Sequence, residues 1–230
     1  MKKIGSIVAA GAILVSGLFS FSAFSQVPSV DAGRSLKVPF KTPVGLAYDG
    51  AAFWVGDLAS GKIAKIDPDS GTVLSSVDAP CFTVGSLAYD GKLLWILDPT
   101  EKTVHGFDPA SGKTMKTMTL DLQTPQGIAC DGNDIWVSDG GDGVIVKIDG
   151  GDGTTYASVP APSANSGRRS QLAALCFHDS FLWTADRLSD TLYQLEPARG
   201  YVLNLLKSPG PYTAGIAFCQ RPILRTAIVL

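Results

Sequence analysis

The apolar and polar positions of this chain follow a thirteen-residue pattern that occurs four times. The pattern reads GLAYDGAAFWVGD at 45–57, SLAYDGKLLWILD at 86–98, GIACDGNDIWVSD at 127–139 and, more loosely, ALCFHDSFLWTAD at 174–186. The first three copies pass from a short apolar run through an Asp-Gly pair into a second apolar run around a tryptophan. Asp-Gly between two such runs is a strong hairpin signal, because glycine adopts positive φ without steric cost. Each copy therefore predicts two antiparallel strands.

The residues that follow each copy predict two further strands. In the first repeat, strands are expected at 46–48, 53–55, 62–67 and 72–77, and the turn sequence DPDSG separates the last two. The second repeat has an equivalent turn sequence, DPASG, at 108–112. Turn signals arrive about every ten residues, which is too often for an apolar pattern of helical period to persist. Each repeat is thus expected to form a four-stranded antiparallel sheet.

The period and the strand composition together predict a β-propeller. The tryptophans of the four copies are separated by 41, 41 and 47 residues, and a period near 40 is typical of four-stranded propeller blades. The strand around Trp95 is apolar on both faces, as a sheet buried between two neighbours requires. We interpret Trp54, Trp95, Trp136 and Trp183 as core residues between blades. The closing aspartates Asp57, Asp98, Asp139 and Asp186 are interpreted as acceptors of backbone N–H groups in their own turns, against a ring of metal-binding carboxylates as the alternative.

The two ends of the chain depart from the repeat. Residues 1–25 begin with Lys2 and Lys3, continue through a small and apolar run, and end in Ala-Phe-Ser, so they are predicted to be a secretory signal peptide; a membrane anchor is the alternative. Residues 26–42 form an N-terminal segment in which 35–38 could supply a closing outer strand, and residues 43–230 carry the repeats. A fifth repeat opens with AGIAF at 214–218 but lacks the Asp-Gly turn and the Trp strand. We expect truncation or a frame shift after Phe218, with a five-bladed ring containing one degenerate blade as the alternative.

The charge of the chain argues against nucleic-acid binding, and the predicted signal peptide indicates a location outside the cytoplasm. The predicted signal peptide contains two of the 19 basic residues and none of the 21 acidic residues, so the remainder has a formal charge of −4. No basic cluster is present, which argues against nucleic-acid binding. No later segment has the ~20 apolar residues that a membrane span needs. The protein is predicted to be periplasmic or extracellular.

The quoted motifs resemble the exported β-propeller repeats of the NHL and YVTN type. The pattern P-x-G-L-A-Y-D-G-x-x-x-W-V-x-D followed by I-x-K-I-D-P-x-S-G is also similar to repeats in streptogramin lyases, gluconolactonase-like proteins and bacterial relatives of glutamine cyclotransferase. The resemblance covers about 43–218 and implies a propeller of six or seven blades with ligands held at one mouth of the central channel. It implies no particular chemistry, because these groups share blades and differ in their sites.

Specificity is expected where a repeat departs from its own pattern. The insertion at 159–171 brings together Arg168 and Arg169, and two adjacent guanidinium groups can bind a carboxylate or a phosphate; a solvated loop is the alternative. Arg187 follows a closing aspartate and is expected near the same mouth. Together with Asp98, these three arginines are the candidate ligand-binding residues.

The remaining reactive residues give no recognisable site. SDGGDG at 138–143 and DGGDG at 149–153 contain the residue types of calcium loops, but tight turns explain them better. His105 and His178 occupy single repeat positions and form no cluster. The four cysteines are expected to be mostly buried thiols, and no spacing indicates zinc, haem or a phosphate loop. No metal or cofactor is predicted.

Two functions remain open from the sequence. The first is a non-enzymatic binding module whose loops at one mouth recognise a protein, a peptide or a glycan, because rigid blades hold variable loops in fixed positions. The second is an enzyme of the lyase, lactonase or cyclotransferase kind with its site in loops at one mouth of the ring.

Overall fold

The protein is an all-β propeller. The computed structural model describes residues 6–10, 32–163, 169–221 and 224–229, and within them it contains twenty strands and no helix. The strands form five four-stranded sheets in which every pairing is antiparallel. The prediction of an all-β propeller with four-stranded antiparallel blades is confirmed. The described residues contain no helix long and apolar enough to cross a membrane.

Two strands near the start of the chain precede the repeats and belong to the last sheet. They are β1 (Ser6–Ala10) and β2 (Ala32–Lys37). The first repeat then forms the first blade, whose strands are β3 (Pro43–Tyr48), β4 (Phe53–Asp57), β5 (Lys62–Ile66) and β6 (Val73–Asp78).

The next three repeats form three blades of the same order. The second blade comprises β7 (Ser86–Tyr89), β8 (Leu94–Asp98), β9 (Thr103–Asp108) and β10 (Lys113–Thr119). The third comprises β11 (Pro125–Asp131), β12 (Asp134–Asp139), β13 (Val144–Asp149) and β14 (Thr155–Pro160). The fourth comprises β15 (Leu172–His178), β16 (Phe181–Asp186), β17 (Thr191–Leu195) and β18 (Val202–Lys207).

The fifth sheet combines the two ends of the described chain. Its strands run in the order β19 (Ile216–Arg221), β20 (Leu224–Val229), β1 and β2. The segment expected to supply a closing outer strand thus lies at the outer edge of this sheet. Its third strand, β1, falls within the predicted signal peptide, whose cleavage is not tested by the fold. The expected truncation after Phe218 likewise stays a prediction.

The innermost strands form a ring around a central axis. β3, β7, β11, β15 and β19 contact one another in that order, and β19 also contacts β3. The N–H of Gly45 at the start of β3 donates to the carbonyl of Ala214, just before β19, across 3.1 Å. The first and fifth sheets are therefore adjacent, and the ring is closed.

The core consists of five apolar clusters, one at each boundary between sheets. Every residue of β4 and β8 is buried, which confirms the expectation that the second strand of a blade is covered on both faces. Trp54, Trp95 and Trp136 are buried in these clusters. Trp183 is half-buried and packs against Phe218 of the fifth sheet, with 5.2 Å between ring centroids. Their interpretation as packing residues between blades is confirmed.

Candidate functional site at the upper mouth

The ring has two mouths, and the upper mouth is defined here as the end at which the inner strands begin. The four closing aspartates lie at this end because each terminates the second strand of a blade. All four are buried, with between 0% and 5% of their surface exposed. They occupy the space between the two loops that each blade contributes to the upper mouth.

The closing aspartates are used to hold those loops. Asp98 accepts N–H bonds from Thr83 at 2.8 Å, Thr100 at 2.8 Å and Glu101 at 3.0 Å. Thr83 precedes the inner strand of the blade, whereas Thr100 and Glu101 follow the second strand, so one carboxylate fastens both loops. Asp57, Asp139 and Asp186 accept equivalent N–H bonds. The interpretation of these residues as turn acceptors is confirmed, and a ligand-binding role for Asp98 stays a prediction.

The environment of Asp139 shows how firmly a carboxylate is held there. Burial by itself would raise the pKa of Asp139, but N–H donors from Gln123, Thr124 and Gly141 lower it below its ordinary value. The net result is a lowered pKa, because hydrogen bonds to the charged form outweigh the loss of hydration. Asp139 is therefore ionised in the folded protein at neutral pH.

A cavity of about 330 Å³ opens at the upper mouth. Part of its wall comes from one equivalent position in each of the five sheets, near the start of the inner strand. The residues at this position are Val44, Gly85, Gln126, Ala173 and Ala214. The second contribution comes from residues that directly follow a closing aspartate, namely Leu58, Pro99 and Arg187. Gln126 and Arg187 are the polar exceptions at their respective positions.

Each of these two residues also has a side-chain atom that is covered by the protein and has no hydrogen-bond partner in the described part of the chain. Nε of Arg187 and Oε1 of Gln126 have no hydrogen-bond partner among the residues that the structure describes. The main-chain N–H of Arg187 donates to the carbonyl of Gln171 at 3.0 Å, which fixes where its side chain begins. The amide of Gln126 packs over Gly140, where an added Cβ would lie 2.5 Å from Nε2. Leaving a buried donor or acceptor unsatisfied costs about 1–3 kcal/mol each.

Large apolar side chains are exposed on the loops at this end of the ring. We call Leu58, Phe82, Leu188 and Tyr212 the upper rim; they are 46%, 84%, 47% and 71% exposed. Tyr212 has a φ of 59°, an unusual conformation for a residue other than glycine, and its N–H is held by Oδ1 of Asp190 at 3.0 Å. The upper rim therefore presents apolar surface on loops that the blades hold in place.

The predicted ligand-binding residues have different positions. Arg187 lines the cavity and Asp98 lies beneath it in the turn network. Arg169 is exposed and lies two residues before Gln171, whose carbonyl accepts the N–H of Arg187. Arg168 lies outside the described residues. The end of the insertion and Arg187 are thus linked by a main-chain hydrogen bond, and a ligand-binding role for these arginines stays a prediction.

Gln126 was missed by the sequence reasoning, although a signal was available. Alignment of the repeats places it at the same position as Val44 and Gly85, where a polar side chain stands out. The signal is weak, because Gln126 is a single residue at the edge of the thirteen-residue pattern and is neither a histidine, an acid nor part of a long insertion.

The other reactive residues serve packing and turns. His105 bonds through its two ring nitrogens to Thr103 at 2.9 Å and Thr117 at 3.1 Å. His178 stacks on Phe218 with 4.2 Å between ring centroids. In the described part of the chain, no three His, Cys, Asp or Glu side chains are grouped as a metal ion requires. Oδ1 of Asp149 accepts the N–H groups of Gly151 and Asp152, so the DGGDG segment forms the tight turn that was preferred over a calcium loop.

The cysteines are less buried than expected. All four are free thiols, but only Cys219 is fully buried, while Cys81, Cys130 and Cys176 are half-buried. Cys130 and Cys176 line a smaller channel cavity of about 110 Å³. Both also pack against apolar clusters between blades, so each residue is covered on one side and lines the cavity on the other. Burial raises the pKa of Cys176 to about 12, so this thiol is protonated at neutral pH.

Comparison with known proteins supports the fold and gives no family. No protein-family model matches this chain, and no curated protein sequence matches it. Among solved structures, the chain is similar to the crystal structure of Myxococcus xanthus glutaminyl cyclase, with a TM-score of 0.67 and 15% sequence identity. The similarity covers 81% of this chain and 88% of that chain. At this identity the likeness establishes a shared propeller fold, and membership of the NHL or YVTN type is not established.

Proposed function

We propose that the protein is an exported, non-enzymatic binding module that recognises a peptide segment at its upper mouth. The observation that carries this proposal is a cavity lined by Arg187 and Gln126 together with exposed apolar side chains on the loops at the same mouth. Exposed apolar surface next to a concave site is typical of interaction sites. A folded protein surface and a glycan are the alternative classes of ligand.

The composition of the cavity favours binding over acid–base chemistry. None of the described side chains that line it is a carboxylate, an imidazole, an ammonium group or a thiol. The closing aspartates beneath it already accept two or more hydrogen bonds each from main-chain N–H groups. General acid–base catalysis requires a titratable group within hydrogen-bond reach of the reacting atom. Arg187 and Gln126 instead provide a fixed charge and an amide, which are suited to recognition.

The experiment is selection of an N-acetylated tetrapeptide library on the immobilised protein, in parallel with two variants. The rim variant carries Phe82→Ser and Tyr212→Ser. The matched control carries Met115→Ser and Tyr201→Ser, two residues that are both 61% exposed but lie on or beside outer strands. We expect peptides that bind the parent and the control and bind the rim variant at least tenfold more weakly. Equal binding to all three proteins, or no binding at all, would refute the proposal.

An enzyme of the cyclotransferase kind is the second candidate, favoured by the likeness to a glutaminyl cyclase. Such an activity would close the α-amino nitrogen of a glutaminyl residue onto its side-chain carbonyl and release ammonia. Incubation of the purified protein with a peptide that has a free N-terminal glutamine, followed by ammonia detection, tests it directly. Catalytic turnover that Arg187→Gln abolishes would favour this candidate over the binding module.

A further inference from the structure

The loop that joins the fourth blade to the fifth sheet is held differently from the loops before it. In each of the first four blades, an N–H three residues before the thirteen-residue pattern is accepted by the closing aspartate of the same blade. These bonds are 2.8–3.0 Å long, and their donors are Thr42, Thr83, Thr124 and Gln171. The equivalent residue before the fifth sheet is Tyr212, and its N–H is accepted at 3.0 Å by Oδ1 of Asp190, which belongs to the fourth blade.

Asp190 stands at a turn position that the first four blades share. It follows the closing aspartate by four residues, at the same position as Gly61, Lys102 and Gly143. The four residues have φ values between 51° and 70°, a region that favours glycine and that aspartate tolerates better than most residues. In each blade the carbonyl at this position accepts an N–H just after the outer strand, and the carbonyl of Asp190 accepts that of Ser208 at 2.8 Å. This shared role needs no side chain, whereas the bond to Tyr212 requires one.

The loop from Ser208 to Ala214 is fixed at both of its ends. Oγ of Ser208 lies 2.7 Å from Oγ1 of Thr213, and both residues are buried. The carbonyl of Ala214, which lines the upper-mouth cavity, accepts the N–H of Gly45 at 3.1 Å. Between these anchors, Tyr212 is 71% exposed and has a φ of 59°. The bond to Asp190 therefore ties the exposed part of the loop to the fourth blade.

We propose that Asp190 is a positioning residue of the upper mouth, whose carboxylate holds the main chain of Tyr212 and so fixes the place of the tyrosine ring before a ligand binds. This inference rests on the proposed function, because it names a residue that orders part of the upper rim. A loop that is already held in its bound conformation loses less conformational freedom on binding, and the affinity is correspondingly higher.

The test compares substitutions at two equivalent turn positions, using the peptides selected on the parent protein. Asp190→Gly removes the acceptor of the Tyr212 N–H, but the first and third blades have glycine at this position, so the turn is retained. Asp190→Asn keeps a side-chain oxygen that can accept the same N–H. Lys102→Gly makes the corresponding truncation in the second blade and is the control. Affinities are measured by fluorescence polarisation, amide exchange at 209–213 by mass spectrometry, and folding by thermal melting.

We expect Asp190→Gly to bind the selected peptides about tenfold more weakly than the parent, the size of effect of one hydrogen bond to a charged acceptor. Amide exchange at 209–213 should become faster in this variant. Asp190→Asn should restore both properties to within about threefold of the parent, because a neutral acceptor is the weaker one. Lys102→Gly should match the parent.

A double substitution separates positioning from a general loss of structure. Tyr212→Ser should weaken binding, and Asp190→Gly added to it should weaken binding no further, because the carboxylate acts through the tyrosine. Additive losses would overturn the inference, since residues that act through one another are coupled. Should Asp190→Gly fail to fold, Asp190→Lys takes its place, because the second blade has lysine at this position.

The outcomes also separate the inference from the function on which it rests. If Asp190→Gly binds like the parent, while the variant Phe82→Ser with Tyr212→Ser still loses binding, the positioning role is overturned and the binding module stands. If the library yields no peptide that depends on the upper rim, the binding module itself fails, and this inference fails with it.

Discussion

In the first three repeats, the turn aspartate and the tryptophan are hydrogen-bonded to one another. Nε1 of Trp54 donates to Oδ2 of Asp49 at 2.8 Å, and Trp95 donates to Asp90 at 2.7 Å. The indole is thus buried between blades while its polar edge is satisfied by the hairpin of its own sheet, as a buried Trp N–H requires. In the fourth blade His178 replaces the aspartate, and Trp183 is less buried there. The spacing of five residues between Asp and Trp is therefore a physical unit of the repeat.

The closing aspartates lead to a pH-dependent stability at the residue scale. The pKa of Asp139 is lowered in the folded protein from 3.8, since N–H donors outweigh the effect of burial. A lowered folded pKa stabilises the protein above the unfolded value, and this contribution disappears as the pH falls through the folded pKa. We expect the free energy of unfolding to decrease below about pH 4, and Asp139→Asn to reduce that decrease while destabilising the protein at pH 7.

Urea unfolding of the parent and of Asp139→Asn at pH 7, 4 and 3 measures this effect. Asp69→Asn is the control, because Asp69 is exposed. Parallel pH profiles for the parent and Asp139→Asn would contradict the assignment of Asp139 as a hydrogen-bonded carboxylate that stabilises the loops of the upper mouth.

At the scale of elements, local signals predicted the first four blades in full and the fifth only in part. The expected strands at 53–55 and 62–67 match β4 and β5 to within two residues, because turn residues fix both ends of each strand. The fifth sheet has no Asp-Gly turn, and β1 pairs with β20 across more than 200 residues of sequence. Pairing over such a distance has no local signature. The candidate site was likewise predicted only in part, because Arg187 was among the predicted residues and Gln126 was not.

The joint between the fifth and first sheets provides a second prediction. An added Cβ at Gly215 would lie 2.6 Å from Cβ of Leu46 and 2.8 Å from its main-chain nitrogen. Gly215→Ala should therefore destabilise the protein by about 1–3 kcal/mol, as overpacking typically does. Gly210→Ala is the matched control, because an added Cβ there meets nothing within 4 Å.

Chemical unfolding of both variants decides whether this joint is packed. Equal stability of Gly215→Ala and Gly210→Ala would show that β19 does not pack against β3. The ring would then be open between the fifth and first sheets, and Ala214 would be displaced from the wall of the upper-mouth cavity.

At the scale of the whole molecule, the blades hold the candidate site in place, but its polar residues stand at positions where the repeats differ from one another. Each of these blades comes from one continuous stretch between 43 and 207, so its four strands need no distant partner. The wall of the upper mouth draws one residue from each of the five sheets. The shape of this cavity therefore depends on ring closure as well as on the loops that carry Arg187 and Gln126.

An intact fifth sheet conflicts with removal of the predicted signal peptide, and the conflict is testable. β1 lies between β20 and β2, pairing Val8 with Val229 and Ser6 with Lys37, so a chain that begins at Gln26 has a gap in its fifth sheet. Without β1, the facing edges of β20 and β2 lose their main-chain partners, and unpaired backbone groups must then bond to water. We expect faster amide hydrogen exchange at 32–37 and 224–229 in this shorter chain, with the first four blades still protected.

Hydrogen exchange with mass spectrometry compares the full chain with the chain that begins at Gln26. A synthetic peptide of residues 5–12 should restore protection at 32–37 by inserting as the missing strand, as in β-strand addition, whereas a scrambled peptide should not. Unchanged protection at 32–37 in the shorter chain would show that β2 does not depend on β1 for its pairing. Cleavage after Ser25 would then be compatible with an ordered β2 at the edge of the fifth sheet.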